Sequence, residues 1–118
     1  MRPSLAAGRP IEMRGIQTIA DGLRSNRTGA IVLPDIKSLV DDVVAVPDEQ
    51  IVLAAYLLTW AKLMVEYSGA TALAAVLSGS WRANGRRTAV VISGGNIDPE
   101  AVARVLDGRD LQSEDNVT

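Results

Sequence analysis

Ser93-Gly94-Gly95-Asn96 is the sharpest chemical feature of this 118-residue chain. It closes a β-branched run and precedes Asp98-Pro99, a helix start. In open α/β sheets, ligands bind beyond the carboxyl ends of strands. Paired glycines let backbone approach a ligand closely, and the Ser93 hydroxyl can both donate and accept. The same residues also suit a tight turn that binds nothing, and local sequence leaves both readings open. Glu66 is the second feature. It lies between an apolar run and Gly69, as a carboxylate either solvated at a helix end or tucked into a cleft. Asp21-Gly22 is the third, and by itself reads as a turn. Asp41-Asp42 is an acidic pair without further ligands, whereas calcium or magnesium wants six or more oxygens, so no metal site is expected.

Composition narrows the chemistry further. Histidine and cysteine are both absent, which excludes a Ser-His-Asp triad, thiolate chemistry and disulfides. The net charge of −2 gives no nucleic-acid footprint, and Arg82, Arg86 and Arg87 read as a solvated basic loop. Lys37 and Lys62 are the only lysines. No apolar segment approaches the length of a bilayer span, and Arg2-Pro3 opens the chain without an apolar signal core. The expected location is the cytoplasm.

The elements that must position these residues follow from apolar spacing. Residues 1–15, rich in Arg, Pro and Gly, read as an extended N-terminal arm. Residues 16–107 read as one α/β domain, and 108–118 as a polar tail. Residues 16–23 suggest a short strand or turn. A short helix is expected over Asp35–Asp41, with Pro34 in its first turn and Ile36, Leu39 and Val40 on one apolar face. Val43–Val46 and residues 88–96 are β-branched runs, apolar on both faces as in a parallel sheet. Pro47-Asp48-Glu49 opens a helix over Glu49–Val65. That helix is apolar nearly all round, so it calls for burial on every side. A chain this short can hardly enclose it, which points to a partner. Ser68-Gly69-Ala70 reads as a break before a helix over Ala70–Leu77. Asp98-Pro99-Glu100 starts a last helix, Pro99 to about Leu106. The expected fold class is α/β, a partial parallel sheet with flanking helices.

Four blocks then act together: TIADGL (18–23), LVDDVVAVPDEQI (39–51), KLMVEYSGATALAAVL (62–77) and VVISGGNID (90–98). In this order and spacing they resemble the C-terminal portion of the fold type II (tryptophan-synthase-β-like) pyridoxal-phosphate-dependent threonine/serine dehydratases and serine racemases. The resemblance runs from about residue 3 to residue 106. It implies that Ser93 matches the serine that hydrogen-bonds the cofactor's pyridine nitrogen. It implies that Glu66 lies close to the ring, that Gly22 lines it, and that Gly94 belongs to the same cofactor-facing turn. Asn96 matches a turn-supporting position. A neutral hydroxyl at the ring nitrogen moderates the electron sink and suits β-elimination.

The departures are as specific as the matches. The family's Schiff-base lysine block and the glycine-rich tetraloop that cradles the cofactor phosphate have no counterpart. Lys37 and Lys62 fall where the family has ordinary helix. The divalent-cation ligands and any regulatory domain are also without a counterpart. The resemblance therefore implies a truncated dehydratase-like domain with no catalytic residue of its own and no cofactor expected for the chain alone. One alternative is a subunit of a split dehydratase, completed by a complementary chain. Another is a small-molecule, amino-acid-binding module around Ser93 and Glu66. A homo-oligomer is expected to cover the apolar surface.

Overall fold

The computed structural model describes residues 1–108 and 110. Five helices follow one another: α1 (Arg2–Ala7), α2 (Val32–Leu39), α3 (Asp48–Trp60), α4 (Tyr67–Leu77) and α5 (Pro99–Leu106). A 3-10 turn, Asp21–Leu23, lies between α1 and α2.

The core is the α3–α4 pair with α5 laid against it. Ile51, Val52, Ala54, Ala55 and Leu58 of α3 meet Ala70 and Ala74 of α4 and Val105 of α5. Ala54, Ala70 and Ala74 are completely excluded from solvent. Small side chains at these contacts let the two helix backbones approach, and larger ones would force them apart. The all-round apolar character of α3 is only partly satisfied. Leu57 and Trp60 stay on the surface, at 43% and 60% exposure.

The limits of α3 and α5 have local reasons. Pro47 is extended at the entrance to α3, and Asp48 and Glu49 set negative charge at the positive end of the helix dipole. At its far end Lys62 takes a left-handed conformation, φ 67°. The Lys62 N–H donates to the Thr59 carbonyl and the Leu63 N–H donates to the Leu58 carbonyl, both at 2.9 Å. This Schellman pattern closes the helix at Trp60, whereas the apolar pattern extended it to Val65. The stop is invisible in sequence because a lysine occupies the place usually given to glycine. α5 matches its expected bounds. Asp98 caps it, its Oδ1 accepting from the Glu100 N–H at 2.8 Å, and Pro99 occupies the first turn.

Three expectations are corrected. Residues 2–7 of the supposed extended arm are helical, with Pro3 in the first turn. The Arg2 guanidinium donates to the Val43 carbonyl at 2.6 Å and fastens this helix to the body. Ser68-Gly69-Ala70 does not break a helix but lies inside α4, which begins at Tyr67. The helix over Asp35–Asp41 starts earlier, at Val32, and ends at Leu39, with Leu39 80% exposed rather than on a buried face.

The β-branched runs differ too. Val43–Val46 and residues 88–96 form no ladder, and the one bridge among the described residues joins Glu12 to Arg27. Strand formation needs a second strand in register. Here Val44 and Val90-Val91 line one apolar cleft over Ala72, Ala75 and Val76 of α4 and do not bond each other. The expected tail, 108–118, lies outside the described residues beyond Gly108 and Asp110.

Candidate functional site

The residues singled out by sequence converge on the start of α4. Glu66 is its N-cap, and the Glu66 N–H donates to the Gly94 carbonyl at 2.7 Å. This bond lays the Ser93-Gly94 turn across the helix entrance. Gly94 adopts φ 76°, and a Cβ there would collide with the Glu66 side chain. A Cβ at Gly69 would collide with the Ser93 carbonyl. The contact therefore requires glycine at both places, for conformation at one and for space at both.

A second set of bonds brings Gly22 to the same helix end. The Gly22 N–H donates to Ser68 Oγ at 3.0 Å and to its neighbour Asp21 Oδ1 at 2.7 Å. A Cβ on Gly22 would meet Ser68 Oγ at 2.8 Å. The segment before it is held by Asp48. Its Oδ1 accepts from Thr18 Oγ1 at 2.6 Å and its Oδ2 from the Ile19 N–H at 2.7 Å. One carboxylate at the start of α3 thus fixes the turn that carries Gly22. Arg24 closes the same loop, donating twice to the Thr18 carbonyl.

Ser93, Glu66, Gly22 and Gly94 are therefore neighbours through α4, but they do not share one cavity. Ser93, Gly94 and Gly95 line a cleft of about 460 Å³ with Lys62, Met64 and Val65. Glu66 lines another of about 310 Å³ with Asp21, Arg24, Asp98 and Arg104. The Gly94–Glu66 contact is the wall between them. Glu66 is half-buried and the Ser93 residue is exposed. Asn96 lines the Glu66 cleft, so it stands at a site edge and not only within a turn.

Sequence reasoning missed Ser68, Gly69, Thr18 and Asp48. The signal for Gly69 was present as a run of small residues, Ser68-Gly69-Ala70, read as a helix break. Asp48 was read as a plausible cap for its helix, and its two bonds to residues 18–19 cross thirty positions of sequence. Tyr67 was missed as well. Its hydroxyl hydrogen-bonds the Asp110 carboxylate, to which Arg104 Nε is paired at 3.6 Å. Burial, with the adjacent Asp110 carboxylate, pushes the Tyr67 phenol well above its ordinary 10.0. No group of three or more metal-ligating side chains occurs among the described residues. Nor is any helix among them long and apolar enough to cross a membrane.

What the arrangement offers chemically is a hydroxyl beside two glycines, the Glu66 carboxylate packed on Gly94, and Lys62 in the lining of the Ser93 cleft, its amine 6.0 Å from the Trp60 ring. A hydroxyl can hydrogen-bond the ring nitrogen of an aromatic cofactor. Nothing at Ser93–Gly95 amounts to a nest of backbone N–H donors for a phosphate.

Comparison with known proteins gives the family. A family model described as pyridoxal-phosphate dependent enzyme matches residues 1–94. The chain is 39% identical over 107 residues to the L-threonine ammonia-lyase of Thermotoga maritima, covering 90% of this chain and 26% of that protein. It is 42% identical over 101 residues to the serine racemase of Arabidopsis thaliana, covering 80% of this chain and 30% of that protein. Among solved structures, maize serine racemase superposes with a TM-score of 0.72 at 34% identity, covering 91% of this chain and 34% of the other. The chain thus spans between a quarter and about a third of these relatives.

Proposed function

This chain belongs to the pyridoxal-phosphate-dependent enzyme family, and from that premise we propose that it is the ring-facing portion of a threonine/serine dehydratase-like fold, without independent catalysis. The observation that carries the reading is the meeting of Ser93, Gly94, Glu66 and Gly22 at the entrance of α4. In a complete fold of this kind the activity is ammonia elimination from L-threonine or L-serine to a 2-oxo acid. When bound there, pyridoxal phosphate supplies the electron sink for that elimination. In this chain Ser93 is the hydroxyl for the ring nitrogen, and the Gly94 surface receives the ring edge. Glu66 holds the turn in place through its backbone bond to Gly94. Asp48 and Ser68 hold Gly22 against the same helix.

The reading excludes catalysis by these residues alone for a physical reason. The sequence offers no lysine block and no phosphate loop matching the family's. The contacts left over are one hydroxyl, one carboxylate and an apolar wall, enough for weak binding at most. In the complete fold, Val43–Val46 and residues 88–96 are the strands of a parallel sheet, which accounts for their unpaired extended state here.

An absorbance titration with pyridoxal phosphate tests the proposal. The expected result is no near-visible band and no 2-oxobutanoate from threonine. A band that disappears in Lys62→Ala would sink it, because a lysine on the Ser93 cleft would then be carrying the cofactor. A second reading, one subunit of a split enzyme, is favoured by the same unpaired segments. Mixing with a chain bearing the lysine block would then restore 2-oxobutanoate formation.

A further inference from the structure

The cleft that holds Glu66 has two unlike walls. One is the start of α4, Glu66 and Tyr67, with Asp21 and Arg24 beside it. The other is α5 and its approach, residues 96–104. This second wall is eight residues of helix, too short to persist without support from the rest of the molecule. Its support is therefore local and can be named. At the near end the Glu66 N–H donates to the Gly94 carbonyl, just before the approach begins. In the middle Val105, 2% exposed, seats α5 on α3. At the far end stands Asp110. Its carboxylate accepts from the Tyr67 hydroxyl and pairs with Arg104 Nε at 3.6 Å.

Tyr67 belongs to α4 and Arg104 to α5, so one carboxylate joins the two sides of the cleft. The two bonds are not equal. Arg104 is 43% exposed, and a pair of that kind contributes little. Tyr67 is 7% exposed, so losing Asp110 would leave a largely buried hydroxyl without its acceptor. The Tyr67 bond is the part that holds.

We propose that α5 is a movable wall of the Glu66 cleft, latched shut by Asp110 between Tyr67 and Arg104. With the latch closed, residues 96–104 stand against the start of α4. When it opens, α5 keeps its seat at Val105 and its attachment at Gly94 but loses its tie to α4, and the cleft widens around the Glu66 carboxylate. Such an opening is local, and the α3–α4 pair stays folded through it. The latch lies on the Glu66 side of the Gly94–Glu66 wall. It does not depend on the reading of Ser93 as a cofactor-facing residue.

Thiol labelling of the full chain, without pyridoxal phosphate, tests the latch, because the chain has no cysteine of its own. Ala101→Cys places a thiol in the lining of the cleft. Leu57→Cys places a reference thiol on the exposed side of α3. The cleft thiol should label more slowly than the reference. Adding Tyr67→Phe keeps the ring and removes the hydroxyl, and should speed labelling of the cleft thiol about tenfold while leaving the reference unchanged. Asp110→Ala should act alike, and the two together should do no more than either, since both break one bond. Hydrogen exchange reads the same event without a cysteine. The Val102 and Asp107 amides of α5 should exchange about tenfold faster in either variant, and those of Ala55 and Ala74 in the core pair at the wild-type rate. If Ala101→Cys does not fold, the exchange rates decide. A cleft thiol as reactive as the reference in the wild-type background, unchanged rates in both variants, effects that add in the double variant, or equal acceleration at Ala55 and Ala74 would each overturn the proposal. Failure of the latch leaves the cofactor-facing reading intact, and failure to bind pyridoxal phosphate leaves the latch intact.

Discussion

The helical half of the molecule and its extended half share one backbone chemistry but stand in opposite states. In α3, α4 and α5 the facing sides have found neighbours, and Ala54, Ala70 and Ala74 are sealed from solvent, although Leu57 and Trp60 stay exposed. In residues 43–46 and 88–92 most side chains are as apolar, yet Val91 is 77% exposed and the backbone has no ladder among the described residues. The difference is one of range. A helix satisfies its hydrogen bonds from its own residues, whereas a strand depends on a second strand. The helices therefore form from their own segments, while the β-branched runs stand without a ladder among the described residues.

The comparison can be broken or sharpened by substitution. The largest effect is expected in the helical core. Leu58→Ala, at 5% exposure, should cost about 2–5 kcal/mol, read as a drop in melting temperature. Gly69→Ala comes next. The new methyl meets the Ser93 carbonyl, so about 1–3 kcal/mol of overpacking is expected, with displacement of the Ser93 turn seen as amide shifts by NMR. Asp48→Ala removes both bonds to residues 18–19 and should cost about 1–3 kcal/mol, with faster amide exchange at Ile19 and Gly22. Lys62→Gly should do the reverse, stabilising by about 1 kcal/mol through relief of the left-handed residue. The smallest effect on stability belongs to the extended half. Val91→Ala should stay within about 0.5 kcal/mol in dilute solution. If Val91→Ala cost as much as Leu58→Ala, the two halves would not differ as described.

The alkaline limb sharpens the same contrast from the α5 side. Tyr67 has its phenol pKa raised in the folded chain, so folding favours the neutral form. Its contribution is fully present below 10.0, the ordinary value, and is lost as pH rises above it through the higher folded value. Melting temperature should fall above that pH in wild type and fall less in Tyr67→Phe.

Legibility in the sequence follows the same division. The bounds of α5 were readable because Asp98, Pro99 and Glu100 act within a few residues of one another. The end of α3 was not, because the Schellman stop relies on a lysine in a conformation that sequence assigns to glycine. The β-branched runs were expected as strands of a parallel sheet, and among the described residues they form no ladder, since pairing depends on residues outside the segment. For the site, Ser93, Gly94, Glu66 and Gly22 were found as separate features. Their convergence on one helix end was not visible, and neither was the Gly94–Glu66 wall that puts Ser93 and Glu66 in different clefts. That wall depends on space at Gly69 and Gly94, which no local pattern reports.

Gly69 also has a use beyond this molecule. Because its missing side chain is the space that the Ser93 carbonyl occupies, the two positions form a linked pair. In any related sequence, a side chain at the first position signals that the serine turn has moved. A substitution there is thus a readable mark of a displaced serine turn, even where the serine and both following glycines are retained.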